Sequence, residues 1–130
     1  MTTAPPCPCD TGKPYPQCCG RFHAGRPAPM AVSLMRSRYA AFAMDLPGYL
    51  LDTWHPTTRP ESISLDADRR WTGLTIEHTE GGKAWDEDGV VQFAAAWESP
   101  SGATGVLRER SRFTMVDQRW YYVGGMLITE

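Results

Sequence analysis

The sequence predicts an α+β fold, in which helices come first, an antiparallel meander of strands follows, and a cysteine-rich leader precedes both. Three observations predict it. Apolar residues recur at helical spacing from Ala31 to Trp54, period-two alternation takes over beyond Trp71, and all four cysteines lie between Cys7 and Cys19. With 130 residues the chain has room for one ordinary domain and a small stapled module. A composition of 42% hydrophobic and 22% charged residues excludes a disordered or fibrous chain, and a net charge of −2 gives no electrostatic footprint for duplex nucleic acid.

The leader comes first. It is rich in proline and glycine and poor in aliphatic side chains, so it cannot build a core of its own. Its opening residues, MTTAPPCPCD, lack the basic and apolar regions of a signal peptide, and no apolar run reaches the length of about 18 residues expected of a membrane helix. The expected address is the cytoplasm, with no membrane partner. Thiols stay reduced there, so a dense cluster reads as metal-binding before disulfide-forming. Zinc fits Cys7, Cys9, Cys18 and Cys19 best, as one structural ion in a closed four-thiolate shell, with an iron–sulfur cluster as the runner-up. Within the spacer Gly12 permits a sharp turn and Pro14 and Pro16 restrict the loop. Lys13 and Arg21 stand near enough in sequence to offset the thiolate charge. His23 is a spare ligand that a full shell does not need.

From Met30 the pattern becomes helical. Ala31, Met35, Tyr39, Phe42 and Leu46 fall on one face, supported by Leu34, which predicts a helix over 30–44. Asp45 is then expected to cap a second short helix, with Pro47 in its first turn, Leu46, Leu50 and Trp54 on one face, and Pro56 as its stop. Thr57 to Asp68 reads as a polar connector with one helical turn before Trp71.

Strands follow. Leu74, Ile76 and His78 alternate with Thr75, Glu77 and Thr79. After the turn residues Asp86 to Gly89, Val91, Phe93, Ala95 and Trp97 share a face. Over 104–116 Leu107, Glu109, Ser111, Phe113 and Met115 share one face, and Val106, Arg108, Arg110, Arg112 and Thr114 the other. Asp117 to Arg119 turns the chain into a last strand, Trp120 to Val123, expected to end at Gly124-Gly125.

The run Cys7-Pro8-Cys9-Asp10-Thr11-Gly12-Lys13-Pro14-Tyr15-Pro16-Gln17-Cys18-Cys19-Gly20 closely resembles the SEC-C motif, a zinc-binding knuckle. Leu34 to Phe42, Thr53 to Pro56, Trp71 to Leu74 and Arg119 to Val123 resemble the YchJ-like family of bacterial proteins. That resemblance spans nearly the whole chain. It implies a SEC-C knuckle over residues 1–26 and, over residues 27–130, a nuclear transport factor 2-like cone, in which helices pack on a strongly curved antiparallel sheet.

Function is less sharply drawn. The favoured expectation is a non-catalytic adaptor that presents the zinc knuckle to a protein partner, with no catalytic residue assigned. The alternative is a small-molecule ligand or substrate in the cone, whose candidate pocket residues are Tyr39, Trp54, His55, Trp71, Arg110, Arg112 and Tyr122, with Glu109 beside them. Histidine at a helix end titrates near neutrality, yet capping is its commoner role there. The arginines 108, 110 and 112 could grip an anion, although cross-strand pairing with Glu77, Glu98 or Glu109 is the simpler reading. Nucleic-acid contact through Lys13, Arg21 and Arg26 is disfavoured, because three cations are few for that task.

Overall fold

Ala31–Ala43 forms the long helix that the apolar spacing predicts, and Leu34, Met35 and Tyr39 on its inner face are buried. These features belong to a computed structural model that describes residues 6–9, 11–63, 65 and 69–128. In chain order the regular elements are a 3-10 turn (Tyr15–Gln17), α1 (Cys19–His23), α2 (Ala31–Ala43), α3 (Pro47–Asp52), β1 (Arg70–Gly81), β2 (Asp88–Glu98), β3 (Thr104–Val116) and β4 (Arg119–Leu127). The turn expected ahead of Trp71 falls partly outside the described residues.

The junction between α2 and α3 corrects one expectation. Asp45 does not cap α3. It adopts φ +60°, and the Leu46 N–H returns 2.9 Å to the Ala41 carbonyl, six residues closing a left-handed stop at the end of α2. Asp45 therefore ends one helix instead of starting the next, a conformation its short polar side chain tolerates. Leu46 takes the N-cap position, without a side-chain cap, and Pro47 supplies the preset φ of the first turn. The helix stops at Asp52, so Trp54 lies beyond it, in a parallel bridge to Tyr122.

The four strands form one antiparallel sheet in the order β1-β2-β3-β4. Alternation is as read from the sequence: Val91, Phe93 and Ala95 of β2 and Ser111 and Phe113 of β3 turn inward and are buried. Irregularities in β1 at Trp71/Gly73 and Ile76/His78, and between β3 and β4 at Arg112/Phe113, bend the sheet around the helices. The last strand runs past its expected end, because Gly124 and Gly125 pair with Arg112 and Ser111 and the ladder continues to Leu127 opposite Glu109. Asp117 and Gln118, both at positive φ, form the tight turn before it.

Helix α2 lies across the sheet. Its first residue sits on the β1–β2 hairpin, where Ala31 N–H donates 2.8 Å to the Gly82 carbonyl. A Cβ on Gly82 would come within 2.7 Å of the Ala31 methyl, so the close approach depends on glycine there. Leu34, Met35 and Tyr39 of α2 then meet Leu74, Val91, Phe93, Phe113 and Trp120 of the sheet in one buried cluster that also takes in all four cysteines and Phe22. The leader is thus docked on the cone, sharing its core.

Candidate metal centre and cone cavity

Two short pieces of chain bring the thiols together. Cys7 and Cys9 lie on a turn that Gly12 reverses at φ +82°, closed by the Cys7 N–H donating 2.9 Å to the Lys13 carbonyl. Cys18 and Cys19 stand at the N-terminus of α1. All four sulfurs lie within 4.8 Å of one another, with Cys9 to Cys18 at 3.5 Å and Cys18 to Cys19 at 4.0 Å. A tetrahedron with zinc–sulfur bonds of about 2.3 Å has edges of about 3.8 Å, so the set needs little movement to hold such an ion. A disulfide needs about 2.05 Å, and all four cysteines are free.

Electrostatics points the same way. The hydrogen bond from Cys19 pulls Cys9 down to about 4, while burial pushes Cys7 up to about 11, and the same bond to Cys9, aided by burial, pushes Cys19 up. The Cys9 thiolate therefore holds Cys19 protonated, and burial does the same for Cys7. A divalent cation is the charge that would let them ionise together. Backbone amides of Cys9 and Cys19 face the Cys7 sulfur and that of Thr11 faces the Cys9 sulfur. The Thr11 hydroxyl lies 3.1 Å from the Cys18 sulfur, a further polar contact of the outer layer.

His23 is no ligand. Its Nε2 donates 2.8 Å to the Ser37 carbonyl of α2, which leaves Nδ1 to accept from the Tyr15 hydroxyl at 2.6 Å, and its ring packs edge-on against Tyr49. Burial holds it below its ordinary pKa. Arg36 of α2 adds a second tie, donating 2.9 Å to the Cys9 carbonyl. Lys13 and Arg21 are exposed, and Arg21 instead turns its Nε to the Cys18 carbonyl at 3.1 Å. Arg36 and Ser37 are the docking residues that sequence reasoning missed.

The second site is a cavity of about 290 Å³ between α2 and the inner sheet face, walled by Met35, Tyr39, Phe42, Trp71, Phe93 and Leu107. Phe42, on the edge of the helical stripe, stands at its mouth and stays partly exposed. The polar groups converge from three elements. Arg38 of α2 is 3% exposed, its Nη1 donates to the Leu50 carbonyl and the Thr53 hydroxyl, and its guanidinium lies 4.4 Å over the Tyr122 ring and 5.2 Å over that of Trp54. Burial lowers it to about 10, which leaves it cationic at neutral pH. Glu109 accepts from the Ser111 and Tyr122 hydroxyls. Burial pushes Tyr122 up to about 12.

Of the residues singled out from sequence, Tyr39, Trp54, Trp71 and Tyr122 line this cavity, and Glu109 with them. His55, Arg110 and Arg112 do not. His55 sits past the end of α3, its Nδ1 accepting from the Thr57 N–H at 3.1 Å and facing the Thr57 hydroxyl, and with Arg112 it borders a separate, shallower depression. Strand parity sends Arg110 and Arg112 to the outer face, opposite Glu109, where Arg110 pairs with Glu80 of β1, beside the Arg108–Glu77 pair. Arg38 and Arg69 were missed. The signal for Arg38 was available: it is a charged residue three and four positions after Met35 and Leu34, inside the apolar stripe.

A cone of this topology carrying a four-cysteine knuckle defines a nuclear transport factor 2-like protein with a SEC-C-type leader. The family model described as "YchJ, middle NTF2-like domain" matches residues 30–125, and the chain belongs to this YchJ/UPF0225 family. It is 50% identical over 122 residues to UPF0225 protein SCO1677 of Streptomyces coelicolor, covering 93% of this chain and 94% of that one. A UPF0225 protein of Chromobacterium violaceum is 46% identical over 126 residues, covering 93% and 92%. The solution structure of RPA3114, a SEC-C motif containing protein from Rhodopseudomonas palustris, superposes with a TM-score of 0.82 at 29% identity, covering 96% of this chain and 100% of that one. No described helix is long and apolar enough to cross a membrane.

Proposed function

We propose that the protein binds a small molecule in its cone, and that one zinc ion held by Cys7, Cys9, Cys18 and Cys19 staples the knuckle to that cone as a structural element. The cavity carries the reading. It is open, walled by aromatic and aliphatic side chains, and served by a few convergent polar groups, which is the anatomy of a ligand site and differs from a core packed solid. Four thiolates would close the metal shell and leave no position for water, which supports a structural ion over a catalytic one.

The test pairs two measurements. Metal analysis of purified protein should give about one zinc per chain, and a small-metabolite screen by two-dimensional NMR should move the signals of cone residues such as Trp54 and Trp71 in a saturable way. A protein with about one zinc whose cone signals move for no compound would sink the ligand reading and leave the staple.

An adaptor role keeps one supporting observation. Thr11, Lys13, Pro16, Gln17 and Arg21 are exposed on the outward side of the docked knuckle, a surface open to a protein partner. Replacing Lys13 and Arg21 by glutamate, with the fold intact, would abolish capture of such a partner and spare the cone.

A further inference from the structure

We infer that the cone selects a compact monoanion with a flat apolar body, of the aromatic-carboxylate class, its carboxylate bound to Arg38. The inference rests on the ligand reading above and adds the chemistry of the occupant. Arg38 supplies its starting point. Among the described residues it takes part in no ion pair, and its two recorded hydrogen bonds both come from Nη1. A guanidinium has five N–H donors, so Nε and Nη2 remain without a described partner, and neither is among the nitrogens sealed from solvent. Glu109 and the Tyr122 and Trp54 rings act on the cation without pairing with it, and a planar carboxylate is the anion whose geometry suits the open side of its fork.

Glu109, also in the lining, disfavours a doubly charged anion such as a phosphate monoester, which would set two negative charges beside its carboxylate. Trp54 stands at the same end of the cavity, with the Arg38 guanidinium over its ring, so its indole signal reports on that end. Tyr39, Trp71 and Phe93 then form walls for a ring, and about 290 Å³ limits the ligand to the small end of the usual range.

Benzoate, benzamide and phenyl phosphate separate these terms, since they share a ring and differ in charge. Each is titrated into the zinc-loaded protein by calorimetry, with NMR following the indole N–H signals. Benzoate is expected to bind saturably, to move the Trp54 indole signal, and to bind at least about tenfold tighter than either comparator, the worth of one charge-assisted hydrogen-bond pair. Arg38→Gln should erase the preference for benzoate over benzamide. Because Arg38 also ties α2 to α3, the wild-type ranking stands as the test should that variant fail to fold. Benzamide binding as tightly as benzoate, with the cone signals moving, would overturn the anion inference and leave the ligand reading standing. So would phenyl phosphate binding tightest, or silence of all three probes beside other compounds that move the cone signals. Silence of the cone toward every compound would remove both.

Discussion

Replacing His23 by phenylalanine isolates the docking of the knuckle. The ring keeps its place against Tyr49 while losing the 2.8 Å bond to Ser37 and the 2.6 Å bond from Tyr15. A neutral hydrogen bond contributes about 1 kcal/mol net, and the half-buried Tyr15 hydroxyl left without a partner adds up to about 1 kcal/mol more. The expected loss is therefore about 2 to 3 kcal/mol. With an unfolding entropy of about 2.1 cal/mol/K per residue, that corresponds to a fall in Tm of about 7 to 11 °C. The assay is thermal unfolding with zinc present, followed in parallel by circular dichroism of the cone and by colorimetric zinc release, whose transitions should coincide in the wild type. Acid supplies a control with a definite sign. His23 is held neutral by burial, below the 6.5 of the unfolded chain, so the unfolded state takes up the proton first. Its contribution is complete above 6.5 and declines as the pH falls from there toward the folded value, and the gap between wild type and variant should narrow accordingly. A Tm change under about 2 °C, or zinc leaving well before the cone melts in the wild type, would refute the claim that knuckle and cone form one cooperative unit.

Cys9→Ser should abolish stoichiometric zinc, read by mass-spectrometric metal analysis, and lower the Tm, because the metal's binding energy is folding energy for a segment with no core of its own. Gly125→Ala would drive a methyl into the Cγ and carboxyl group of Glu109. It should cost about 1 to 3 kcal/mol in denaturant unfolding and displace Glu109 from Tyr122, visible as a shift of the Tyr122 ring signals. Phe113→Ala, at a side chain 1% exposed, should cost about 3 to 5 kcal/mol with zinc content unchanged.

Periodicity carried most of the architecture. The spacing of Leu34, Met35 and Tyr39 and the parity of Val91, Phe93, Phe113 and their neighbours are local properties, dictated by which side of a helix or strand meets the core, and both could be read without the fold. The sulfur cluster was readable for a similar reason, since its ligands are close in sequence. What escaped depended on partners far along the chain. Ser37 receives His23 through its backbone carbonyl, which no side-chain pattern marks. Arg36 meets the knuckle across a separation of 27 positions. Asp45 looked like a cap because aspartate favours helix starts, yet the Leu46 to Ala41 hydrogen bond outweighed that preference. Gly124 and Gly125 looked like an end because glycine weakens strands, while here the Glu109 side chain fills the space a Cβ would take at Gly125. Strand parity turns the basic stripe of β3 outward and the intervening Glu109 inward, where it lines the cavity with Arg38 of the helix opposite.

The strands lie side by side in the order in which they are synthesised. Every pairing joins neighbours along the chain, so the sheet can zip up hairpin by hairpin with short loop closures, a topology that favours rapid assembly. The sulfurs are borne by a few residues near in sequence, yet they are covered by the same core that the helix and sheet close, so hairpin pairing can run ahead of the metal while the final packing step carries it along. In refolding experiments zinc concentration should therefore change the rate of that last step and leave the earlier pairing of hairpins untouched.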